Sequence, residues 1–70
     1  MLVEDLGQIL KARRNELKIT QPHLAELAQI STNTLYKIEK GEANPSFDVL
    51  NKLAEVLGMQ LLLEVKKTSK

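Results

Sequence analysis

The chain has 70 residues, of which 43% are hydrophobic and 27% charged, and its formal net charge is +1. This composition is typical of one small folded domain and is too apolar for a disordered chain. Because the chain contains no cysteine, disulfides and thiolate metal sites are excluded, and a reducing cytoplasm is its expected location. No apolar run approaches the ~20 residues of a membrane span, so no membrane partner is expected.

Capping residues divide the chain into four predicted helices. The first covers 3–17, and its apolar stripe consists of Val3, Leu6, Ile9, Leu10, Ala12 and Leu17. Thr20 and Ser31 are typical N-caps, and they begin a second helix that runs to about 28 and a third that runs to 40. Gly41 ends the third helix, and Ser46 and Gly58 bound the fourth. The expected buried residues of these three helices are Leu24, Ala25, Ala28, Leu35, Ile38, Leu50, Leu53, Ala54 and Leu57.

The stretch MQLLLEV, residues 59–65, has the alternation of a β-strand, with Gln60 and Glu64 on its polar side. A single strand would leave its backbone N–H and C=O groups unpaired, so it needs a partner. We expect that partner to be the same strand of a second copy, antiparallel across a two-fold axis. The predicted dimer interface consists of Met59, Leu61, Leu62, Leu63, Val65, Val49 and Val56.

The second and third helices are joined by only Gln29, Ile30 and Ser31. So short a connection favours a sharp crossing, near 90–120°, and therefore a helix-turn-helix. The exposed face of the third helix would carry Thr32, Asn33, Tyr36, Lys37 and Lys40, with no acidic residue among them. Asn, Lys and Thr side chains suit the edges of adenine, guanine and thymine in the major groove. The third helix is therefore predicted to recognise double-stranded DNA.

The stretch TQPHLAELAQISTNTLYKIEKGEANPSFDVLNKLAEVLGM resembles the helix-turn-helix domain of the Cro/phage-repressor (xenobiotic-response-element) family, and the resemblance covers about 6–58. Its markers are Thr20-Gln21, Leu24-Ala25, Ile30-Ser31, Ile38-Glu39, Gly41, Asn44-Pro45-Ser46 and Leu53-Ala54. The resemblance implies that Gln21 binds a phosphate and that Arg14 pairs with Glu39. It also implies that Thr32, Asn33 and Lys37 face base edges.

The sequence departs from this family in two places. The family usually has glycine where this chain has Gln29, so Gln29 is either strained at a positive φ or lies in a slightly different turn. Many relatives end in a fifth helix, whereas a strand is predicted here. A terminal strand resembles the HipB-like antitoxin-regulators, in which such strands pair across a dimer. The expected fold class is therefore all-α: a helix-turn-helix bundle of four helices with one C-terminal β-strand pairing across a homodimer.

The predicted DNA contacts are of two kinds. The base-reading residues are Thr32, Asn33, Tyr36 and Lys37, and the phosphate-binding residues are Gln21, Ser31 and Lys40. Each prediction has a simpler alternative. Lys37 and Lys40 would also suit a solvated helix face, and the Tyr36 ring would also suit the edge of an interface. The pair of Arg14 and Glu39 is expected to be structural whether or not DNA binds.

We expect a homodimeric transcription regulator, in particular a repressor, with a DNA-binding domain over 1–58, a dimerisation strand over 59–66 and a loose tail over 67–70. One alternative is an antitoxin that binds a toxin protein and also regulates its own operon. Another is a protein-interaction module of the same fold that does not bind DNA.

Catalysis is not expected. The sequence has no glycine-rich phosphate loop, no thiol nucleophile and no clear pair of catalytic carboxylates. So short a chain also leaves little room for a substrate cavity of ~300 Å³. His23 is the single histidine, and no further ligands assemble around it in the sequence, so we expect neither a metal site nor a cofactor.

Overall fold

The computed structural model describes residues 3–63 and residue 65, with side chains from residue 5 onward. Its four helices are α1 (Val3–Glu16), α2 (Gln21–Leu27), α3 (Thr32–Lys40) and α4 (Phe47–Val56). These bounds agree with the predicted ones to within one or two residues. No helix in the described part of the chain is long and apolar enough to cross a membrane.

The three predicted N-caps are confirmed. The side-chain oxygens of Thr20, Ser31 and Ser46 each accept the backbone N–H of the residue three positions later, at 3.3, 3.0 and 3.1 Å. Each bond satisfies one of the N–H groups that the first turn of a helix leaves without a partner. Short polar residues at these three positions therefore determine where α2, α3 and α4 begin.

All four of these helices end in the same backbone motif, in which a residue one or two positions after the helix adopts a left-handed conformation. Glycine occupies this position after α3 and α4, at Gly41 (φ 79°) and Gly58 (φ 70°). Lys18 (φ 57°) and Gln29 (φ 61°) occupy it after α1 and α2. Two reverse hydrogen bonds close each motif, as Schellman geometry requires. Of the two alternatives for Gln29, the structure has the positive φ, which is strained for any residue with a Cβ.

The core lies where the four helices meet, and all but one of the residues expected to be buried in α2, α3 and α4 are buried there. The buried hydrophobic residues are Leu10, Leu24, Ala25, Ala28, Leu35, Ile38, Leu53, Ala54 and Leu57. Leu50 is half-buried. The predicted stripe on α1 was too wide, since Ile9 and Leu17 are 40% and 39% exposed and Ala12 is exposed. α1 packs mainly on α3, which covers only one side of it.

Gly7 allows α1 to approach α3 closely. A Cβ built on Gly7 would lie 2.7 Å from the carbonyl oxygen of Glu39 and still closer to that of Ile38. Both neighbours are backbone atoms, which cannot rotate away as a side chain can. The sequence pattern gave no indication of this contact.

The predicted C-terminal strand is absent from the described residues of this single chain. Residues 59–63 and 65 have no regular secondary structure, whereas 64 and 66–70 lie outside the described part. Leu63 and Val65 were expected to pack inward, but they are 99% and 94% exposed. A strand is defined by hydrogen bonds to a neighbour, and the expected neighbour is a second chain. Three other residues of the predicted interface, Met59, Val49 and Val56, are half-buried against the core of their own chain.

Candidate nucleic-acid interface

The outer face of α3 carries the five polar and basic residues that the sequence placed there. The exposed residues are Thr32, Asn33, Tyr36, Lys37 and Lys40. Glu39 is turned inward and is only 5% exposed. The single acidic residue of α3 is therefore removed from this face, which leaves it with two lysines and uncharged hydrogen-bonding groups.

Glu39 is held by Arg14 of α1 in a two-point ion pair. Arg14 Nε donates to Glu39 Oε2 at 2.8 Å, and the Nη2 group donates to Oε1 at 3.0 Å. Arg14 is itself only 9% exposed, and its Nη1 group donates to the backbone oxygen of Ile19 at 2.8 Å. Burial of both charges is tolerated because each is paired and hydrogen-bonded. The pair fixes α3 against α1, which is the arrangement that the resemblance implied.

Gln21, the first residue of α2, joins this buried pair from the surface. Its amide nitrogen donates to Glu39 Oε1 at 2.9 Å, and its side chain is half-buried. An amide nitrogen carries two hydrogens, so one remains for another acceptor. The sequence predicted a phosphate contact for Gln21 but gave no indication that Glu39 orients its side chain.

Ser31 mainly has a capping role in the structure. Its hydroxyl accepts the backbone N–H of Thr34 at 3.0 Å and donates to the Thr34 hydroxyl at 2.8 Å. The hydroxyl hydrogen is thus already used, so a phosphate contact through this side chain would require the hydroxyl to rotate. Gln21, by contrast, keeps one donor hydrogen available.

Lys40, the last residue of α3, lies close to an aromatic ring and to a carboxylate. Its Nζ is 5.1 Å from the centre of the Tyr36 ring and 3.3 Å from Glu42 Oε2. The neighbouring Tyr36 hydroxyl and the Glu42 carboxylate raise the pKa of Lys40 above its ordinary value. Lys40 is therefore charged at neutral pH, but its charge is matched by Glu42.

Arg13 has a structural role that the sequence did not predict. Its Nε donates to the backbone oxygen of Leu57 at 2.8 Å, which joins α1 to the end of α4. Its Nη1 group also pairs with Glu16 at 3.3 Å. Arg13 and Leu57 are 44 residues apart, so no local pattern could have indicated this contact.

An apolar cleft of about 840 Å³ lies between α1, α4 and the C-terminal segment. Its volume is larger than the sequence led us to expect, since so short a chain was predicted to leave little room for a cavity of ~300 Å³. The lining consists of Leu6, Ile9, Leu10, Phe47, Leu50, Ala54, Met59, Gln60, Leu61, Leu62 and Leu63. Among the described residues, this lining contains no acidic, basic or nucleophilic side chain. Over the described residues, no group of three or more His, Cys, Asp or Glu side chains could hold a metal ion.

Comparison with known proteins finds relatives that contain a helix-turn-helix domain. Residues 10–63 match the model of the helix-turn-helix family. The chain is 45% identical over 56 residues to the immunity repressor protein of Bacillus phage phi105, a match that covers 80% of this chain and 39% of the repressor. It is 43% identical over 56 residues to a predicted HTH-type transcriptional regulatory protein of Methanococcus maripaludis, a match that covers 80% of this chain. The chain spans only 17% of the length of that archaeal relative.

Two solved structures have the same fold. The crystal structure of the clp gene regulator ClgR from Corynebacterium glutamicum matches with a TM-score of 0.82 and 30% identity, over 86% of this chain and 64% of that one. The restriction-modification controller protein C.AhdI from Aeromonas hydrophila matches with a TM-score of 0.80 and 28% identity, over 83% of this chain and 88% of that one. The predicted helix-turn-helix fold is thus confirmed.

Proposed function

The chain belongs to the helix-turn-helix family of Cro/C1 type, and on that premise we propose that it is a sequence-specific DNA-binding repressor of transcription. It acts as a homodimer on a pseudo-palindromic operator, in the cytoplasm. The outer face of α3 carries this proposal, since Asn33 and Lys37 are exposed there while Glu39 is buried. A helix that presents donors and no carboxylate suits the major groove, whose edges are rich in acceptors.

The roles along α3 follow from the direction in which a recognition helix enters the groove. Thr32 and Asn33 lie in its first turn, where base contacts concentrate. Lys37 lies one turn later and can still reach a guanine edge. Tyr36 lies between Asn33 and Lys37 in sequence, and it would contact the DNA at the edge of the interface.

Phosphate contacts would position the protein on the duplex. Gln21 is the main candidate, because its amide is held by Glu39 at 2.9 Å and keeps a second hydrogen for a phosphate oxygen. Lys40 adds a cation at the other end of α3. Ser31 contributes chiefly by fixing where α3 begins.

The apolar cleft and the C-terminal segment support the proposed dimer. Phe47, Leu62 and Leu63 all line the cleft, and they are 73%, 67% and 99% exposed. A contiguous apolar surface on so small a chain is typical of an interface. A second copy related by a two-fold axis would cover it and would also supply hydrogen-bond partners for residues 59–65 as an antiparallel strand.

Selection from a random duplex library at low and moderate salt, followed by sequencing, tests the proposal. Wild type should enrich a pseudo-palindrome, and Asn33→Ala should lose preference at one base pair per half-site, at a cost of about 1–3 kcal/mol. Asn51→Ala is the matched control, because Asn51 is also exposed but lies on α4. If no sequence were enriched at either salt, the regulator proposal would fail and the non-binding interaction module would remain.

The same exposed segment favours a second candidate, an antitoxin that also regulates its own operon. A toxin protein could cover Leu62 and Leu63 beside the dimer contact. Expression of the product of an adjacent gene, alone and together with this chain, tests that role. Growth arrest that this chain relieves would support it, and relief that persists in Leu63→Asp would contradict an interface at this segment.

A further inference from the structure

The end of α3 has an arrangement that the proposed DNA contacts do not explain. Lys40 was predicted to bind phosphate, yet its Nζ lies 3.3 Å from Glu42 Oε2. The ammonium also lies 5.1 Å from the centre of the Tyr36 ring. Both Lys40 and Glu42 are about half exposed, with side-chain exposures of 49% and 54%. The Glu42 carboxylate is thus already paired with the ammonium group that was predicted to pair with a phosphate.

The backbone around Gly41 fixes Glu42 in this position. Gly41 adopts a left-handed φ of 79°, which reverses the chain at the end of α3. The N–H of Glu42 then donates to the backbone oxygen of Lys37 at 2.9 Å, and that of Gly41 donates to Ile38 at 3.1 Å. These two bonds order the backbone of Glu42, although the two side chains still lose rotamer entropy when they pair. The turn that ends α3 therefore brings the Glu42 carboxylate within reach of Lys40.

We propose that Glu42 competes with DNA phosphate for Lys40 and thereby limits the affinity of the protein for DNA of any sequence. This inference rests on the proposed DNA-binding function. The net charge at this end of α3 is +1 when Lys37, Lys40 and Glu42 are counted together. It would be +2 if Glu42 were replaced by a neutral residue. Phosphate neutralisation supplies most non-specific binding, whereas Thr32 and Asn33 at the other end of α3 read the bases. Glu42 therefore weakens non-specific binding and leaves the base contacts unchanged.

The test compares Glu42→Gln with wild type on a random-sequence duplex and on the selected operator. Release of Lys40 should tighten binding to both duplexes by about 1.5- to 5-fold. The slope of log K against log salt should steepen by about 0.9 per subunit, because one more phosphate is neutralised. Glu16→Gln is the matched control, since Glu16 also pairs with an arginine at 3.3 Å but lies at the end of α1. It should change neither quantity.

A double-mutant cycle with Lys40→Met separates competition from general repulsion. At ~0.15 M salt, through-space repulsion is screened beyond about 8 Å. Glu42→Gln should then gain less than about 1.5-fold in the Lys40→Met background. Equal gains in both backgrounds, or no gain in either, would overturn the proposal.

The random duplex and the operator answer separate questions. Tighter binding of Glu42→Gln to the random duplex, with no operator enriched by wild type, would support the competition and refute the sequence-specific function. If neither wild type nor Glu42→Gln bound any duplex at low salt, both proposals would be overturned.

Discussion

Replacing Gln29 by glycine should stabilise the protein, although it removes a side chain. Gln29 has a φ of 61° at the position that ends α2. Its N–H donates to Glu26 at 3.1 Å, and the next N–H donates to Ala25 at 2.9 Å. A glycine keeps both backbone hydrogen bonds and removes the clash of Cβ with the backbone. The side chain of Gln29 is exposed, so little packing is lost.

The size of the gain follows from two opposing effects. A residue with a Cβ costs about 1–2 kcal/mol in the left-handed region. Glycine offsets about 0.4–1 kcal/mol of the stabilisation, because it increases the entropy of the unfolded chain. The net gain should be about 0.5–1 kcal/mol, which corresponds to an increase in Tm of about 2–8 °C for a domain of this size.

Urea unfolding followed by circular dichroism measures this change. The midpoint should increase while the slope m stays constant, because the surface exposed on unfolding is nearly the same. Gln8→Gly is the matched control, since Gln8 is exposed inside α1, and it should lose about 0.5–1 kcal/mol. A Gln29→Gly variant no more stable than wild type would show that the left-handed turn is not strained.

Three further predictions concern stability and are measured in the same assay. Gly7→Ala should destabilise by about 1–3 kcal/mol, because the added methyl group meets the backbone oxygens of α3; wild-type stability in this variant would contradict the close helix contact. Glu39→Ala should cost about 3–5 kcal/mol by leaving Arg14 buried and unpaired, and Arg14→Met combined with Glu39→Met should recover most of that loss; additive losses would refute the pairing. Ser31→Ala should cost about 1 kcal/mol through loss of the α3 cap, whereas Ser31→Asn, which keeps a capping acceptor, should cost less; equal losses would contradict the capping role.

The parts of this fold that the sequence predicted are those fixed by local chemistry. Thr20, Ser31 and Ser46 can each accept an N–H within their own turn, so they marked the helix starts correctly. Gly41 likewise marked the end of α3, since a left-handed residue follows the helix there. The exposed face of α3 followed from helical periodicity once its buried residues were identified.

The parts that the sequence did not predict depend on contacts between distant segments. Gly7 looks like a weak point in a helix until α3 is placed against it. Arg13 bonds to Leu57 across 44 residues. The exposure of Ile9 and Leu17 depends on which sides of α1 are covered, and periodicity alone does not determine this. The predicted strand over 59–65 requires a second chain as its hydrogen-bond partner. The structure of a single chain therefore does not test that prediction.

The proposed two-fold arrangement is tested most directly by changing the spacing of the half-sites. Two recognition helices in a dimer should contact major grooves about 34 Å apart, on one side of the duplex. Inserting five base pairs into the centre of the selected operator moves one half-site to the opposite side. The affinity of the protein for this operator should fall to that for a single half-site. Unchanged affinity after the insertion would contradict the homodimer on a pseudo-palindrome.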